Sequence, residues 1–192
     1  MAANTGFMQR FKGGVILSEK TLTKFGRGGG LMLGSGQLNN LVGTSYGNNV
    51  SAAGVGNGAD TTEDTLFTFT LPANALLQIG SNLSITAFGT FASNTHSKTA
   101  KLYFGSELVS SGANTTGGSV IPWWLQLDVF KTGASTQIIL GQLINGATHG
   151  GCTFQTGAET DTATITIKCT GQTGTSAASD VLCYVMQVQG LN

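Results

Sequence analysis

Apolar and polar side chains alternate with a period of two through most of the chain from Asp64 onward. In "DTLFTFTL" the alternation places Phe67, Phe69 and Leu71 on one face of a strand and threonines on the other. The segments "NLSITAFGTF" and "DTATITIKC" repeat the pattern, and no window shows helical periodicity over three turns. A period of two indicates half-buried antiparallel strands, in which β-branched threonine suits the exposed pleat.

About eight strands of this kind lie between residue 64 and the last residue, separated by turn clusters such as "NTHSK" and "KTGAS". Eight short antiparallel strands in one chain predict an all-β fold, namely an antiparallel β-sandwich. We expect a jelly-roll-like topology, with an immunoglobulin-like sandwich as the alternative.

The N-terminal part of the chain differs in composition from the predicted strands. Glycines recur in "KGGV" and "GRGGGLMLGSG", and each glycine costs a helix interior about 1 kcal/mol relative to alanine. The tract from Tyr46 to Gly58 is a second stretch rich in glycine and asparagine, and we place the first strand after it. The sequence therefore predicts an extended N-terminal arm or linker over residues 1–45 and a jelly-roll-like sandwich over residues 46–192.

The predicted arm is basic, although the whole chain has a formal net charge of zero. Residues 1–27 contain five basic side chains and one acidic side chain, Glu19, so they carry +4 and the rest of the chain carries −4. Such an arm is either a solvated flexible terminus or a segment that docks on an acidic surface. Its candidate docking residues are Phe7, Arg10, Phe11, Lys12, Lys20, Lys24, Phe25 and Arg27.

The overall composition argues against several classes of protein. Charged residues make up 9% of the chain, against roughly 25% in ordinary soluble domains, so hydroxyl and amide groups must build much of the surface. The five basic residues of the arm are a weak footprint for nucleic acid. The sequence has no recognisable signal peptide and no apolar run long enough for a membrane-spanning helix, which predicts a soluble product made in a cytoplasm.

No constellation of residues predicts catalysis, a metal or a cofactor. The eight acidic residues after the arm fall mostly at predicted turns or strand starts, and their spacing selects no catalytic pair. His149 and Cys152 in "HGGC" lack further ligands or a neighbouring base. Cys169 and Cys183 fall at apolar positions of strands, which predicts buried thiols that act as small hydrophobic side chains.

Two strands carry apolar side chains on both faces. Trp123 and Trp124 point to opposite faces of "WWLQLDVFK", so only one of them faces the core of the domain. In the terminal strand "VLCYVMQVQ", strict alternation places Met186 on the face of Tyr184 and opposite Cys183. The second apolar face is covered by a subunit partner, by the folded-back arm or by an intrachain loop, or it stays partly exposed. Under the first alternative, the candidate interface residues are Trp124, Phe130, Tyr184 and Met186.

Several segments resemble a β-sandwich module of tailed-bacteriophage virion proteins, found in head or tail fibres and in small capsid-associated proteins. The segments that carry the resemblance are "TLPANAL", "LSITAFGTFASN", "KTAKLYFGS", "VFKTGASTQ" and "ASDVLCYVMQV", within residues 60–192. The resemblance implies a jelly-roll-like domain, frequently homotrimeric, that serves structure or attachment. Residues 1–45 lie outside it.

Three functions follow as hypotheses. The leading one is a structural virion protein, foremost a capsid decoration or cement protein whose arm docks on another virion protein such as the major capsid protein. A short head or tail fibre or adaptor protein is its alternative. The second hypothesis is a carbohydrate-binding module for receptor recognition, which would use Tyr103, Trp124 and the loops near Asn94 and Asn114. The third, an enzyme such as a polysaccharide depolymerase, has no motif to support it.

Overall fold

A computed structural model describes residues 9–10, 16–17, 44–76, 78–110, 114–115, 117–146 and 148–190. The chain divides into two compact units, Met1–Leu38 and Asn39–Asn192. In the first unit, the short strands β1 (Gln9–Arg10) and β2 (Ile16–Leu17) pair antiparallel. Among the described residues, no helix is long and apolar enough to cross a membrane.

The described part of the second unit is built from ten strands. They are β3 (Thr44–Gly56), β4 (Asp64–Leu71), β5 (Asn82–Phe91), β6 (Lys98–Phe104), β7 (Glu107–Ser110), β8 (Ile121–Gly133), β9 (Thr136–Asn145), β10 (Thr148–Gly157), β11 (Ile165–Thr173) and β12 (Val181–Gly190). All of their pairings are antiparallel. The predicted all-β class is confirmed.

The ten strands form two sheets that pack face to face around one core. The larger sheet has the order β10-β9-β8-β5-β12-β3 and the smaller sheet has the order β4-β11-β6-β7. Without β9 and β10, each sheet has four strands, and the chain passes between the sheets in the order of an eight-stranded jelly roll. The jelly-roll-like sandwich that the sequence predicts is therefore confirmed, in preference to the immunoglobulin-like alternative.

The alternation along the strands fills the space between the sheets, because every second residue of β5 and β8 is buried. Trp123 is 2% exposed, and its ring packs against Phe91 with 6.1 Å between the ring centroids. Gly89 is required beside it, because a Cβ there would lie 2.2 Å from Trp123 Cζ2 and 1.9 Å from the backbone oxygen of Leu182. Trp123 is thus the tryptophan that faces the core.

In the second unit two strands, β3 and β10, lie where the sequence pattern predicts none. Our expectation that the tract from Tyr46 to Gly58 precedes the first strand is wrong, because most of this tract pairs with β12 as β3. In the same way β10, with the sequence "THGGCTFQTG", pairs with β9. Both are edge strands with little apolar alternation, so backbone hydrogen bonds to one neighbour define them more than side-chain burial does.

A β-bulge in β12 reverses the predicted facing of the second half of that strand. Along the pairing of β12 with β5, β12 advances two residues from Cys183 to Val185 while β5 advances one, so Tyr184 is an extra residue. One inserted residue moves the side chains that follow it to the opposite face. Met186 is therefore 1% exposed and lies in the core, and our prediction that it shares a face with Tyr184 is wrong.

Strands β9 and β10 form a hairpin, here named the insertion hairpin, that extends the larger sheet beyond its four jelly-roll strands. Buried polar groups fix the loop by which it returns to β11. Lys131 Nζ donates to the Leu76 backbone oxygen at 2.7 Å and forms an ion pair with Asp161, and the two charged side chains are 8% and 9% exposed. Nearby, Gln137 and Glu159 exchange hydrogen bonds of 2.7 and 3.0 Å.

Candidate interaction surface

The outward side chains of the six-stranded sheet form rows that run across the strands, because directly opposite residues in antiparallel strands share a face. The register aligns five apolar residues from β3 to β9, here named the apolar row: Val50, Val185, Phe88, Trp124 and Ile144. Val50 is 70% exposed and Phe88 is 43% exposed. The Phe88 ring stacks on Trp124 with 6.1 Å between centroids. A continuous line of apolar side chains thus crosses five strands.

A second apolar group, here named the hairpin cluster, lies on the same face at the insertion hairpin. It consists of Phe130, Ile138, Leu140 and Phe154. Leu140 is 43% exposed and Phe154 is 67% exposed. Between the two apolar groups runs a row of uncharged polar side chains: Gln187, Thr86, Gln126 and Gln142. The large apolar side chains of this face are therefore grouped into patches, as they are on contact surfaces.

Charge is distributed unequally between the two sheets. In the described strands of the six-stranded sheet, only β8 carries charged residues, Asp128 and Lys131, and Lys131 is buried. The outer face of this sheet therefore presents a single charge, that of Asp128, which accepts a hydrogen bond of 2.8 Å from Gln126 Nε2. The outer face of the four-stranded sheet carries Lys101 and Lys168. Low charge together with exposed aromatic side chains is typical of the centre of a protein interface.

A jelly roll by itself assigns no activity, because one architecture carries many unrelated functions. No family model, curated protein or solved structure matches the chain. Its function therefore has to follow from the chemistry of its surfaces.

Three of the four predicted interface residues lie on the outer face of the six-stranded sheet. Trp124 and Phe130 are half-buried in β8. Tyr184 lies at the β12 bulge, with its hydroxyl 3.4 Å from Thr90 Oγ1. The fourth residue, Met186, is 1% exposed and lies in the core, so its side chain cannot contact a partner. The exposed members of the two apolar groups complete the surface that the sequence identified only in part.

The predicted docking arm lies almost entirely outside the described residues. Arg10 belongs to β1. The other candidate docking residues lie outside the described part of the chain: Phe7, Phe11, Lys12, Lys20, Lys24, Phe25 and Arg27. The docking role of the arm stays a prediction.

A polar cluster around Glu63 covers part of the outer face of the four-stranded sheet. One carboxylate oxygen of Glu63 accepts hydrogen bonds from the Tyr103 hydroxyl at 2.6 Å and the Thr170 hydroxyl at 2.7 Å, and the other oxygen pairs with Lys101. The ammonium of Lys168 lies 4.5 Å from the centroid of the Tyr103 ring. These contacts fasten the loop before β4 onto β6 and β11.

The contacts of Glu63 shift two pKa values. Partial burial alone would raise the pKa of Glu63, but hydrogen bonds from Lys101, Tyr103 and Thr170, together with the Lys101 charge, lower it from 4.5 to about 2. Burial and the hydrogen bond to the Glu63 carboxylate raise the pKa of Tyr103 from 10.0 to about 12. The cluster therefore keeps Glu63 ionised and Tyr103 protonated at neutral pH.

The depressed pKa of Glu63 predicts a pH-dependent stability. A carboxyl group whose pKa is lower in the folded state stabilises the fold above its unfolded pKa, and this contribution is lost as the pH falls through the folded value. We expect the free energy of unfolding to fall between about pH 5 and pH 2. Glu63→Gln should lower it by about 1–3 kcal/mol at pH 7 and weaken the pH dependence.

Urea titrations at pH 7 and pH 3 measure both effects. Glu107→Gln, which removes an acidic side chain from β7 of the same sheet, is the matched control. A pH dependence that is the same in the wild type and in Glu63→Gln would contradict the assignment.

A second polar cluster closes one end of the sandwich around Asp180, which is 3% exposed. Its carboxylate accepts hydrogen bonds from Asn94 Nδ2 at 2.6 Å and Thr173 Oγ1 at 3.1 Å, and it pairs with His96 Nδ1 at 2.7 Å. Lys98 Nζ is bonded to oxygens of Asn94 and His96 at 2.6–2.9 Å. The contacts of Asn94, His96 and Lys98 hold the loop before β6 in place, and the Thr173 hydrogen bond ties Asp180 to β11, so the cluster has a structural role.

The residues predicted for carbohydrate binding do not converge on one surface. Tyr103 faces outward from the four-stranded sheet and donates to Glu63, whereas Trp124 faces outward from the six-stranded sheet. Asn94 contacts Lys98 through its side chain, and Asn114 pairs with the backbone of Lys98. The structure therefore separates these residues.

The titratable side chains show no arrangement suited to metal chemistry, because no group of three or more His, Cys, Asp or Glu in the described residues is placed to hold an ion. Cys169 and Cys183 are buried as predicted, and Cys152 is exposed on β10. A hydrogen bond to Cys183 and burial both raise the pKa of the Cys169 thiol. The Cys169 thiol therefore stays protonated, and both buried thiols pack as small hydrophobic groups.

Proposed function

We propose that this protein is a structural protein that assembles with copies of itself through the outer face of its six-stranded sheet. The observation that carries the proposal is an apolar row across five strands on a face with one charge, Asp128. Interface centres are depleted in charged residues and enriched in aromatic ones, as this face is.

Burial against a second copy is energetically favourable for this face. Removing one large aromatic side chain from water contributes on the order of 2–3 kcal/mol, and in the apolar row Phe88 is 43% exposed and Val50 is 70% exposed in the single chain. The glutamines between the apolar groups can exchange hydrogen bonds across a contact, so their burial does not oppose it. An open patch of this kind would promote aggregation, which a specific contact prevents.

The particle to which we assign the protein is a tailed-bacteriophage virion, with the chain as a capsid decoration or cement protein. Support comes from the resemblance of residues 60–192 to virion β-sandwich modules and from the basic arm, which suits docking on a protein such as the major capsid protein. A sequence without stalk-like repeats favours decoration over a head or tail fibre or adaptor. The resemblance favours a homotrimer made in the host cytoplasm.

Deletion of residues 1–27 tests the attachment. We expect the full chain to co-sediment with capsids of the encoding phage, and residues 28–192 to remain in the supernatant, because the deletion removes five basic side chains and Phe7, Phe11 and Phe25. Circular dichroism verifies that the shortened chain retains its β-structure. If folded residues 28–192 co-sediment with capsids as fully as the full chain does, the result would contradict the attachment proposal. Glycan binding by the same body would favour the carbohydrate hypothesis instead.

A further inference from the structure

The insertion hairpin extends past the sheet that covers the rest of the sandwich. On this side the four-stranded sheet ends at β7, which packs against β8 and β9. Gln155 Nε2 reaches the Leu108 backbone oxygen of β7 at 3.0 Å. Six described residues of β10 are exposed, and they include Thr153 on its inner face and Cys152, Phe154 and Thr156 on its outer face. β10 is therefore an overhanging edge strand.

β10 has few of the features that usually protect an exposed sheet edge. Edge strands of monomeric proteins carry charged side chains, prolines or bulges, or they are covered by another segment. The sequence contains no charged residue and no proline between Lys131 and Glu159, a stretch that includes the whole insertion hairpin. The bulge of β10 lies between His149 and Cys152 and leaves residues 152–157 in regular register. In the described structure this segment pairs on one side only, with β9.

The side chains of the regular segment suit an extension of the sheet. On its outer face, Phe154 is 67% exposed and lies opposite Leu140 of β9, which is 43% exposed. On its inner face, Thr153 and Gln155 are polar and are compatible with water. Burial in a contact would therefore favour the Phe154 ring most, and the free edge offers backbone N–H and C=O groups for pairing with another strand.

We propose that β10 pairs antiparallel with β10 of a second copy across a two-fold axis at Phe154, so that two six-stranded sheets become one continuous sheet. The occupant is a second copy because the segment carries no charge that would repel its own copy and its apolar side chain complements itself. This contact uses the edge of the sheet, so it does not depend on the face contact proposed above.

The two-fold axis fixes the register of the pairing. An axis perpendicular to the sheet keeps the outer faces of both copies on the same side, and opposite residues share a face only when the axis passes through a residue position. An axis at Phe154 places the two exposed Phe154 rings opposite each other, with a Leu140 side chain beside each, and cross-strand aromatic pairs of this kind stabilise sheets. Cys152 then lies opposite Thr156 of the second copy.

A disulfide test follows from this register, with Thr156→Cys as the variant. Opposite Cα atoms in antiparallel strands are about 4.5–5.5 Å apart, which is within the range that a disulfide spans. Under mild oxidation we expect Cys152 to bond to the cysteine introduced at position 156 of the second copy. On a non-reducing gel, most chains should then run at twice the chain mass of 19.7 kDa.

Two controls separate the register from random collision. Adding Cys152→Ser to Thr156→Cys should abolish the dimer band, because the two positions 156 lie about 14 Å apart along the strands. Thr166→Cys, exposed on the four-stranded sheet, reports the collision background. The proposal is overturned if Thr156→Cys gives no more dimer than Thr166→Cys, or if its dimer persists without Cys152. Because it depends on the edge alone, the cross-link should also survive Phe88→Lys, which disrupts the face contact.

Discussion

Phe88→Lys lowers the native mass of the protein by about two-fold or more in light scattering while leaving its thermal unfolding almost unchanged. Phe88 is 43% exposed in the single chain, so a lysine at this position keeps its ammonium group in water and the fold is retained. In a face contact the same ammonium would be buried without a partner, at a cost of several kcal/mol. The substitution also interrupts the apolar row at its centre.

The matched control is Thr166→Lys, which adds the same charge to the exposed outer face of the four-stranded sheet and should leave the native mass unchanged. Adding Phe154→Lys to Phe88→Lys removes the edge contact as well, and the double variant should have the chain mass of 19.7 kDa. A Phe88→Lys protein with the wild-type mass would show that the apolar row is not the contact.

Asp161→Asn destabilises the protein by about 3–5 kcal/mol, a large share of the roughly 5–15 kcal/mol that stabilises a typical domain. The Lys131 side chain is 8% exposed, and removal of the Asp161 charge leaves its ammonium buried with the Leu76 carbonyl as a neutral acceptor. The loss acts where the insertion hairpin returns to the jelly roll. Urea unfolding followed by tryptophan fluorescence measures the change.

Two further variants separate the buried charge from other effects. Lys131→Met combined with Asp161→Leu should recover most of the stability, because replacing both partners of a buried ion pair by apolar groups is often close to neutral. Asp128→Asn removes the carboxylate on the outer face and should change the free energy of unfolding by less than about 1 kcal/mol. A loss below about 1 kcal/mol for Asp161→Asn itself would contradict the structural role of the pair.

The alternation of apolar residues was sufficient to predict the strands that bury one face and the sandwich that they form. The alternation does not predict β3 and β10, because these strands lie at sheet edges and are defined by backbone pairing with one neighbour more than by side-chain burial. The facing of Met186 was also predicted wrongly, because a single bulge residue at Tyr184 shifts the period of two, and no local sequence signal marks it. Strand alternation therefore predicts faces reliably only between bulges.

The candidate surface was predictable only in part, for a related reason. Trp124 stood out because two adjacent tryptophans cannot both face the core. Phe88 has no such local signal, since its neighbours on the outer side of β5 are Thr86 and Thr90. Val50 has none either, because it lies in a tract of small and polar residues without apolar alternation. They become part of one row only when the register aligns them with Trp124. The Glu63 and Asp180 clusters likewise join residues that are distant in sequence.

The native mass of the Thr153→Lys variant tests self-assembly through the sheet face most directly. A lysine at this exposed inner-face position of β10 protects the edge in the way that charged residues protect the edges of monomeric proteins, and it changes no outward side chain of the sheet. Any remaining association must then use another surface. Light scattering across a range of protein concentrations should give a mass of at least twice the chain mass of 19.7 kDa. A mass of 19.7 kDa at every concentration would contradict a self-assembling sheet face.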